Sequence, residues 1–144
     1  MVVTDSQAPF CKLSARNFHV LSTITRRMND FGYEKLDVYR CSIEFLAAAK
    51  LLNDIFPRGF AHIGDQLRRA SLSVPLNIAE GSGKCSLQER RRFFEIARCS
   101  ALECSAIIDF AKTLNLADPM LLEAHRSLII RIVQMLSKLT AKPR

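Results

Sequence analysis

Apolar residues recur at spacings of three and four through four separate stretches of this 144-residue chain. That spacing places them on one face of an α-helix, whereas a half-buried strand would alternate every second residue. The links between the stretches are short, and glycine in two of them favours the end of a helix. The pattern predicts an all-α protein with helices at about residues 36–55, 62–80, 87–112 and 119–139.

Short links force consecutive helices to run in opposite directions. We therefore expect an antiparallel four-helix bundle of up-down-up-down topology, formed by residues 31–144. Residues 1–30 lack sustained periodicity and mix polar, basic and proline residues, so they are expected to form a loosely ordered N-terminal extension. The bundle accounts for the rest of the chain as one domain.

Pro75 lies inside the second predicted helix, where proline removes one backbone hydrogen bond and clashes with the carbonyl of Ser71. We predict a kink at Pro75 rather than two separate helices. Gly81 follows the last periodic residues, and glycine commonly ends a helix in the left-handed conformation. We expect Gly81 to have that role.

The third and fourth helices carry start signals. Ser86 and Glu89 have the spacing of a capping box, in which the serine hydroxyl and the glutamate each bond the other residue's backbone amide. Asp118 is the expected N-cap of the fourth helix. Pro119 then occupies the first helical position, where its missing amide costs nothing.

Several features of the chain exclude other classes of protein. No stretch approaches the roughly 18 apolar residues of a membrane span, and the N-terminus lacks the apolar core of a signal peptide. The five cysteines form no zinc spacing. We therefore expect a cytoplasmic protein with reduced thiols and no membrane partner. Cysteines in apolar helical stretches are expected to pack as small hydrophobes: Cys41, Cys99 and Cys104.

The apolar faces are wider than an isolated bundle needs. In the fourth helix, three rows repeat every seven residues and cover well over a third of the circumference. In the third helix, the adjacent pairs Phe93–Phe94 and Ile107–Ile108 are not expected to point inward together. One member of each pair would then face water, and a large apolar patch favours association. We expect a homo-oligomer.

A catalytic constellation is not evident. A serine or cysteine nucleophile needs an oriented histidine, yet the three histidines are scattered at His19, His62 and His125. No two histidines are spaced for a helical metal site, and the Gly-Ser-Gly-Lys sequence at 81–84 lacks the spacing of a phosphate loop. We predict that the protein is not an enzyme and has no catalytic residue, metal or cofactor.

The most notable polar feature is basic. The chain carries a net charge of +7, and residues 84–98 alone carry +3 after two glutamates are subtracted. Such a segment can bind a phosphate backbone of RNA or DNA, or it can pair internally with carboxylates such as Glu44 or Asp65. Both interpretations stay open. The candidate nucleic-acid-binding residues are Arg68, Arg69, Lys84, Arg90, Arg91, Arg92 and Arg98.

Asn77 and Glu80 lie between apolar residues near the end of the second helix. A partly buried amide or carboxylate needs a hydrogen-bonding partner. We expect these two residues to form a structural polar network with an arginine, for which Arg68, Arg69 and Arg91 are the candidates.

Several separated motifs also carry a resemblance. Residues Gly64–Gly81 read GDQLRRASLSVPLNIAEG, Glu89–Arg98 read ERRRFFEIAR, Ser100–Cys104 read SALEC, and Tyr33–Tyr39 read YEKLDVY. In this order they resemble the four-helix-bundle family of 23S rRNA intervening-sequence proteins. The resemblance covers roughly Phe31 to Leu139.

The resemblance implies a homopentameric ring of antiparallel bundles without known catalytic activity. The family is distantly similar to the accessory protein of diversity-generating retroelements, a basic pentameric barrel that binds a reverse transcriptase and nucleic acid. From the residues and the resemblance together, we predict a non-catalytic oligomer that binds RNA or another polyanion. The alternative is a structural or adaptor ring with a protein partner, whose arginines form internal salt bridges.

Overall fold

A computed structural model describes residues 31–141 and shows an all-α four-helix bundle, which confirms the predicted fold class. Short 3-10 turns at Gly32–Lys35 and Arg58–Phe60 precede the first two helices. Every helix end lies within two residues of its predicted position. The predicted N-terminal extension, residues 1–30, lies outside the described residues. The helices are α1 (Asp37–Ile55), α2 (Ala61–Ser82), α3 (Leu87–Thr113) and α4 (Pro119–Thr140).

Contacts between α1 and α4 fix the relative direction of these two helices. The Cys41 thiol lies 3.9 Å from the carbonyl oxygen of Leu128, and Nε2 of His125 lies 3.0 Å from the carbonyl oxygen of Ala48. Residue numbers rise along one helix as they fall along the other. The first and last helices of the bundle therefore run in opposite directions.

The other long seams show the same relation. Ser73 bonds Ser100 through their hydroxyls at 2.9 Å, while Gly81 lies against Phe94, so α2 and α3 run in opposite directions. Asp109 of α3 pairs with Arg126 of α4. Glu95 precedes Asp109 on α3 and interacts with Thr140, which follows Arg126 on α4, so α3 and α4 also run in opposite directions. Each helix packs on two others, in the pairs α1–α2, α2–α3, α3–α4 and α1–α4.

The apolar core draws residues from all four helices. In α4, the row of Leu122, Ile129 and Leu136 is completely buried, while Leu121 and Leu139 at the helix ends stay partly exposed. Most of the wide apolar face of α4 is thus buried within a single chain. The largest fully buried side chains include Phe45, Leu52, Leu67, Ile78, Ile108 and Ile132.

The structure corrects the expected exposure of α3. Ile107 and Ile108 are both buried, Phe94 is buried, and Phe93 is half-buried. The third helix is wedged between α2 and α4, so its inward face is wide enough for both isoleucines. Other apolar side chains of α2 and α3 are 39–65% exposed, namely Leu72, Leu76, Leu87, Ile96, Leu102 and Phe110.

Pro75 is buried inside a single continuous helix, as predicted, because α2 extends without interruption to Ser82. The kink itself stays a prediction. The expected role of Gly81 is wrong, because Gly81 is a buried residue within α2 and no glycine of the described residues has a positive φ. A Cβ atom at Gly81 would lie 3.0 Å from atoms of Phe93 and Phe94. Gly81 therefore permits the close approach of α3.

The predicted helix starts are largely confirmed. Asp118 accepts hydrogen bonds from the amides of Met120 and Leu121 at 2.8 and 3.1 Å, and Pro119 is the first residue of α4. Ser86 accepts from the amide of Glu89 at 3.5 Å, which is the serine half of the predicted capping box.

The end of α3 has a motif that the sequence analysis missed. Asn115 is left-handed, with φ 53°. The amide of Leu116 donates to the carbonyl of Ala111 at 2.9 Å, and the amide of Asn115 donates to the carbonyl of Lys112 at 3.2 Å. This is the Schellman pattern, which satisfies the last carbonyls of a helix. Leu116 is buried as a result of the sharp turn.

Candidate nucleic-acid interface

The excess positive charge of the bundle lies at the turn between α2 and α3. Residues 31–141 contain 15 of the 21 lysines and arginines and 12 of the 14 acidic residues, a net charge of +3. Segment 84–98 carries the same net charge of +3. The remainder of the described chain is therefore electrically balanced, and this segment, which we call the basic turn, accounts for the whole excess.

Two cations of the basic turn stabilise the turn itself. The Lys84 ammonium lies 3.2 Å from Oε1 of Glu80 and 4.7 Å from the centre of the Phe93 ring. The Arg90 guanidinium donates from Nη2 to the carbonyl oxygen of Lys84 at 3.1 Å. Nε of Arg90 is buried without a hydrogen-bonding partner among the described residues. Arg90 is thus the one arginine of the triplet that reaches a neighbouring element.

Arg98 is held by a carboxylate of its own helix. Its guanidinium contacts both carboxylate oxygens of Glu95, with Nε 3.0 Å from Oε2. Hydrogen bonding to Arg98 lowers the pKa of Glu95, and the same bond raises the pKa of Arg98. This pair is therefore ionised at neutral pH and neutralises one positive charge of the basic turn.

Arg91 and Arg92 differ from their neighbours. Within residues 31–141, neither side chain forms a hydrogen bond or an ion pair. Arg92 is exposed and Arg91 is half-buried. Adjacent residues point in directions about 100° apart on a helix. Among the five cations of the basic turn, these two are consequently the ones most available to an external anion.

Arg68 and Arg69 do not join the basic turn. Arg68 pairs with Asp65 at 3.5 Å, and Arg69 donates to Oε1 of Gln66 at 2.6 Å. Ser82 follows Arg69 by thirteen positions, which corresponds to about 20 Å of helix. The structure therefore places Arg68 and Arg69 away from the α2–α3 turn, whereas Arg98 lies farther along α3, close to Ser100, which bonds Ser73 of α2. The pair with Asp65 lies on the exposed surface of α2, and Asp65 does not pair with the basic segment as the alternative interpretation expected.

The polar network of α2 differs from its prediction. Asn77 donates to the carbonyl and the hydroxyl of Ser73 at 2.8 and 3.1 Å, and Ser73 in turn bonds Ser100. Glu80 is exposed and pairs with Lys84. Neither residue meets an arginine. Ser100, from the next helix, is a partner that no local signal in the sequence indicated.

The described residues contain no obvious centre for catalysis or metal binding. No group of three His, Cys, Asp or Glu residues within 31–141 could hold a metal ion. His62 is exposed, whereas His125 is buried between two backbone carbonyls. No helix of the described part has the length and hydropathy to cross a membrane.

The four cysteines within residues 31–141 divide into a buried pair and an exposed pair. Cys41 and Cys104 are buried as predicted, whereas Cys99 is exposed, as is Cys85. The prediction for Cys99 is therefore wrong, because its apolar neighbours on α3 lie on other faces of the helix. Burial and the charge of Glu103 raise the pKa of Cys104 to about 12, which keeps its thiol protonated and poorly nucleophilic at neutral pH.

The fold and the interface place the protein in the class of small all-α bundles that carry a basic turn. The described residues include no metal-binding cluster. The chain belongs to the family described as 23S rRNA-intervening sequence protein, whose profile matches residues 34–138. This match confirms the resemblance inferred from the motifs and spans all seven candidate cations. Members of the family are small helical proteins with no known catalytic role. No curated protein matches the chain.

Proposed function

We propose that this protein is a non-catalytic homo-oligomer that binds RNA or another polyanion at the basic turn. One observation supports this most directly: the turn holds the whole net charge of the described chain, and Arg91 and Arg92 within it have no partner among the described residues. Cations of this kind bind phosphates by releasing condensed counterions. Among the described residues, Phe93 is the aromatic ring near these arginines that contacts a cation, and it is half-buried. We therefore expect the basic turn to contact phosphates rather than bases.

The family description concerns intervening sequences of 23S rRNA, which makes structured RNA the first polyanion to test. Oligomerisation is supported by the exposed apolar side chains of α2 and α3, among them Leu76 and Phe110 at 58 and 57% exposure. We propose the pentameric ring that the resemblance implies. A ring would place several basic turns within reach of one nucleic acid, and linked sites bind more tightly than single ones.

The charge contribution is tested by fluorescence anisotropy with a labelled structured RNA over a series of salt concentrations. The double substitution Arg91→Ala and Arg92→Ala removes the two available cations while leaving Arg90, which holds the turn, unchanged. We expect weaker binding and a salt slope reduced by about two, since each lost phosphate contact lowers that slope by about one.

The matched control is Arg58→Ala with Lys112→Ala, which removes the same charge from two exposed positions at the opposite end of the bundle. This control should retain most of the affinity. Equal loss in both double variants would show that only net charge matters, and the proposed site would then be wrong.

Assembly is tested by light scattering of the purified chain, with and without nuclease. Five copies of the 16.3 kDa chain would give a mass of about 80 kDa. Leu76→Glu would place a charge in the exposed apolar surface and should lower the mass. A single-chain mass at high protein concentration would contradict the oligomer.

A second candidate is a structural or adaptor ring that binds a protein. Its support is that five of the seven candidate cations already bond a group within six residues of themselves, which leaves fewer cations for a polyanion: Arg68, Arg69, Lys84, Arg90 and Arg98. Oligomerisation without measurable affinity for RNA or DNA at low salt would support this candidate over polyanion binding.

A further inference from the structure

Three aromatic side chains form a cluster at the start of α1. The rings of Phe31 and Tyr33 are stacked, with centroids 5.8 Å apart and planes 5° from parallel. Tyr33 in turn meets Tyr39 of α1 edge to face, 4.8 Å between centroids. Phe31 is 61% exposed, whereas the two tyrosines are half-buried. This aromatic cluster therefore presents one exposed ring that two other rings hold in place.

Hydrogen bonds order the short turn that carries the exposed ring. The amide of Glu34 donates to the carbonyl of Phe31 at 3.1 Å, and the amide of Phe31 donates to Oε2 of Glu34 at 3.3 Å. Arg40 of α1 donates from Nε to the carbonyl of Glu34 at 2.9 Å. A ring that is ordered before a ligand arrives loses less conformational entropy when the ligand binds.

The antiparallel register places the aromatic cluster at the same end of the bundle as the basic turn. A Cβ atom at Gly64 of α2 would meet the side chain of Asn53 on α1. Asp37 precedes Asn53 by sixteen positions and Glu80 follows Gly64 by sixteen, about 24 Å along each helix, so Asp37 and Glu80 lie at one level. Glu80 pairs with Lys84 of the basic turn, and the 3-10 turn of the cluster packs on α2.

The charges beside the aromatic cluster leave one cation available. Oδ1 of Asp37 lies 3.9 Å from Nη1 of Arg40, and the Glu34 carboxylate accepts from the amide of Phe31. Lys35 is exposed and forms no hydrogen bond or ion pair within residues 31–141. A phosphate next to the exposed ring therefore has a cation in the same short turn.

An exposed ring beside a basic segment is the combination that binds single-stranded nucleic acid, because every base has a face that can stack. Bases inside a duplex are already stacked and cannot reach such a ring. We propose that Phe31 of the aromatic cluster stacks on an unpaired base of the RNA whose phosphates the basic turn holds. This inference rests on the proposed function and specifies RNA with unpaired nucleotides as the ligand.

Tryptophan fluorescence tests the stacking directly. The chain contains no tryptophan, so Phe31→Trp introduces a single fluorophore at the stacking position. The probes are oligouridylate of about 12 nucleotides, within the usual site sizes for single strands, and an RNA duplex of equal length. Oligouridylate should quench the emission, because a stacked base quenches the indole excited state, and the duplex should not. Bound oligouridylate without quenching would overturn the inference.

Fluorescence anisotropy with the same two probes measures the contribution to affinity. Phe31→Ala should weaken oligouridylate binding about tenfold, the loss of one stacked base, and should leave the salt slope and duplex binding unchanged. Met120→Ala is the matched control, because Met120 is 71% exposed at the opposite end of the bundle. Equal losses in the two variants, or equal losses for the two probes, would overturn the inference.

Two further outcomes separate this inference from the proposed function. If the Arg91→Ala and Arg92→Ala double variant lost affinity for both probes while Phe31→Ala lost none, stacking alone would be wrong. Unchanged affinity in the double variant would instead overturn binding at the basic turn. A lower oligomer mass for Phe31→Ala in light scattering would also overturn the inference, since a second copy of the chain would then cover the ring.

Discussion

The α2–α3 seam and the α1–α4 seam of this bundle are stabilised in different ways. Along α2 and α3, small residues allow close contact: Ser73 bonds Ser100, and Gly81 leaves room for the Phe94 ring and the Cβ atom of Phe93. The two helices are joined by a short turn, so their partners are close in sequence. Small residues thus allow the two helices to approach closely at these two points of the seam.

The α1–α4 seam joins the ends of the fold and depends on a buried polar group. His125 is 5% exposed, with Nδ1 2.7 Å from the carbonyl of Leu121 in its own helix and Nε2 3.0 Å from that of Ala48 in α1. Its ring also meets Phe45 edge to face, 6.5 Å between centroids. The comparison shows that side-chain hydrogen bonds cross both seams, whereas the α1–α4 seam adds a buried ring that lies within hydrogen-bond distance of a backbone carbonyl of the facing helix.

Removal of His125 should have the largest effect. His125→Ala should lower the free energy of unfolding by about 3 kcal/mol, because a buried cavity and an unpaired carbonyl both result. His125→Gln, which keeps a donor, should cost about half as much. Urea denaturation at fixed protein concentration measures both. Gln134→Ala, at an exposed position of the same helix, is the control. If His125→Ala cost no more stability than Gln134→Ala, His125 would not stabilise the α1–α4 seam.

Alkaline pH should act more strongly through α3 than through α1. Burial raises the pKa of Cys104 from 9.0 to about 12, so the folded chain keeps a proton that the unfolded chain releases. Stability is therefore complete below pH 9 and is lost as the pH rises toward 12, by about 2 kcal/mol near pH 10.5. Burial also raises the pKa of Cys41, but Arg131 opposes the shift.

Thermal melts between pH 8 and about 10.5 measure this loss. Cys104→Ala should flatten the alkaline decline more than Cys41→Ala does. Identical pH profiles for the two variants would show that another group causes the decline.

Gly81→Ala tests the close packing of the α2–α3 seam. The new methyl group would lie 3.0 Å from Phe93 Cβ and from two ring atoms of Phe94. We expect a net loss of about 1 kcal/mol, because overpacking exceeds the helix-propensity gain of alanine. Gly83→Ala is the control, since its nearest neighbour would lie at an ordinary 3.5 Å. If Gly83→Ala proved the more harmful change, close packing would not be the function of Gly81.

The smallest effect is expected for the serine pair. A double-mutant cycle of Ser73→Ala and Ser100→Ala should give a coupling of about 0.5 kcal/mol, as for a partly buried neutral hydrogen bond. Thermal or urea denaturation of the four proteins measures it. Strict additivity would indicate that the two hydroxyls do not stabilise each other.

Features that depend on one helical turn could be predicted from the sequence. Asp118, Pro119 and Ser86 start their helices as expected, because a cap is formed by residues three or four positions apart. Asn115 was a missed local signal, since asparagine is one of the few residues that tolerate the left-handed conformation.

Features that depend on a second helix could not be predicted. Glycine at position 81 is compatible with a helix end or with a close approach, and only the position of Phe94 decides between them. The same holds for the candidate interface. The basic segment was evident in the sequence. The bond from Arg90 to the Lys84 carbonyl depends on the geometry of the turn, and this bond leaves Arg91 and Arg92 as the available cations of the triplet.

The antiparallel arrangement has a consequence for the way the molecule approaches a charged partner. The dipoles of neighbouring helices that run in opposite directions largely cancel. The electrical asymmetry of the described chain therefore comes from side chains alone, concentrated in residues 84–98. In the field of a polyanion, the protein rotates before contact so that residues 84–98 face the polyanion. The fraction of productive collisions should decrease as added salt shortens the range of that field.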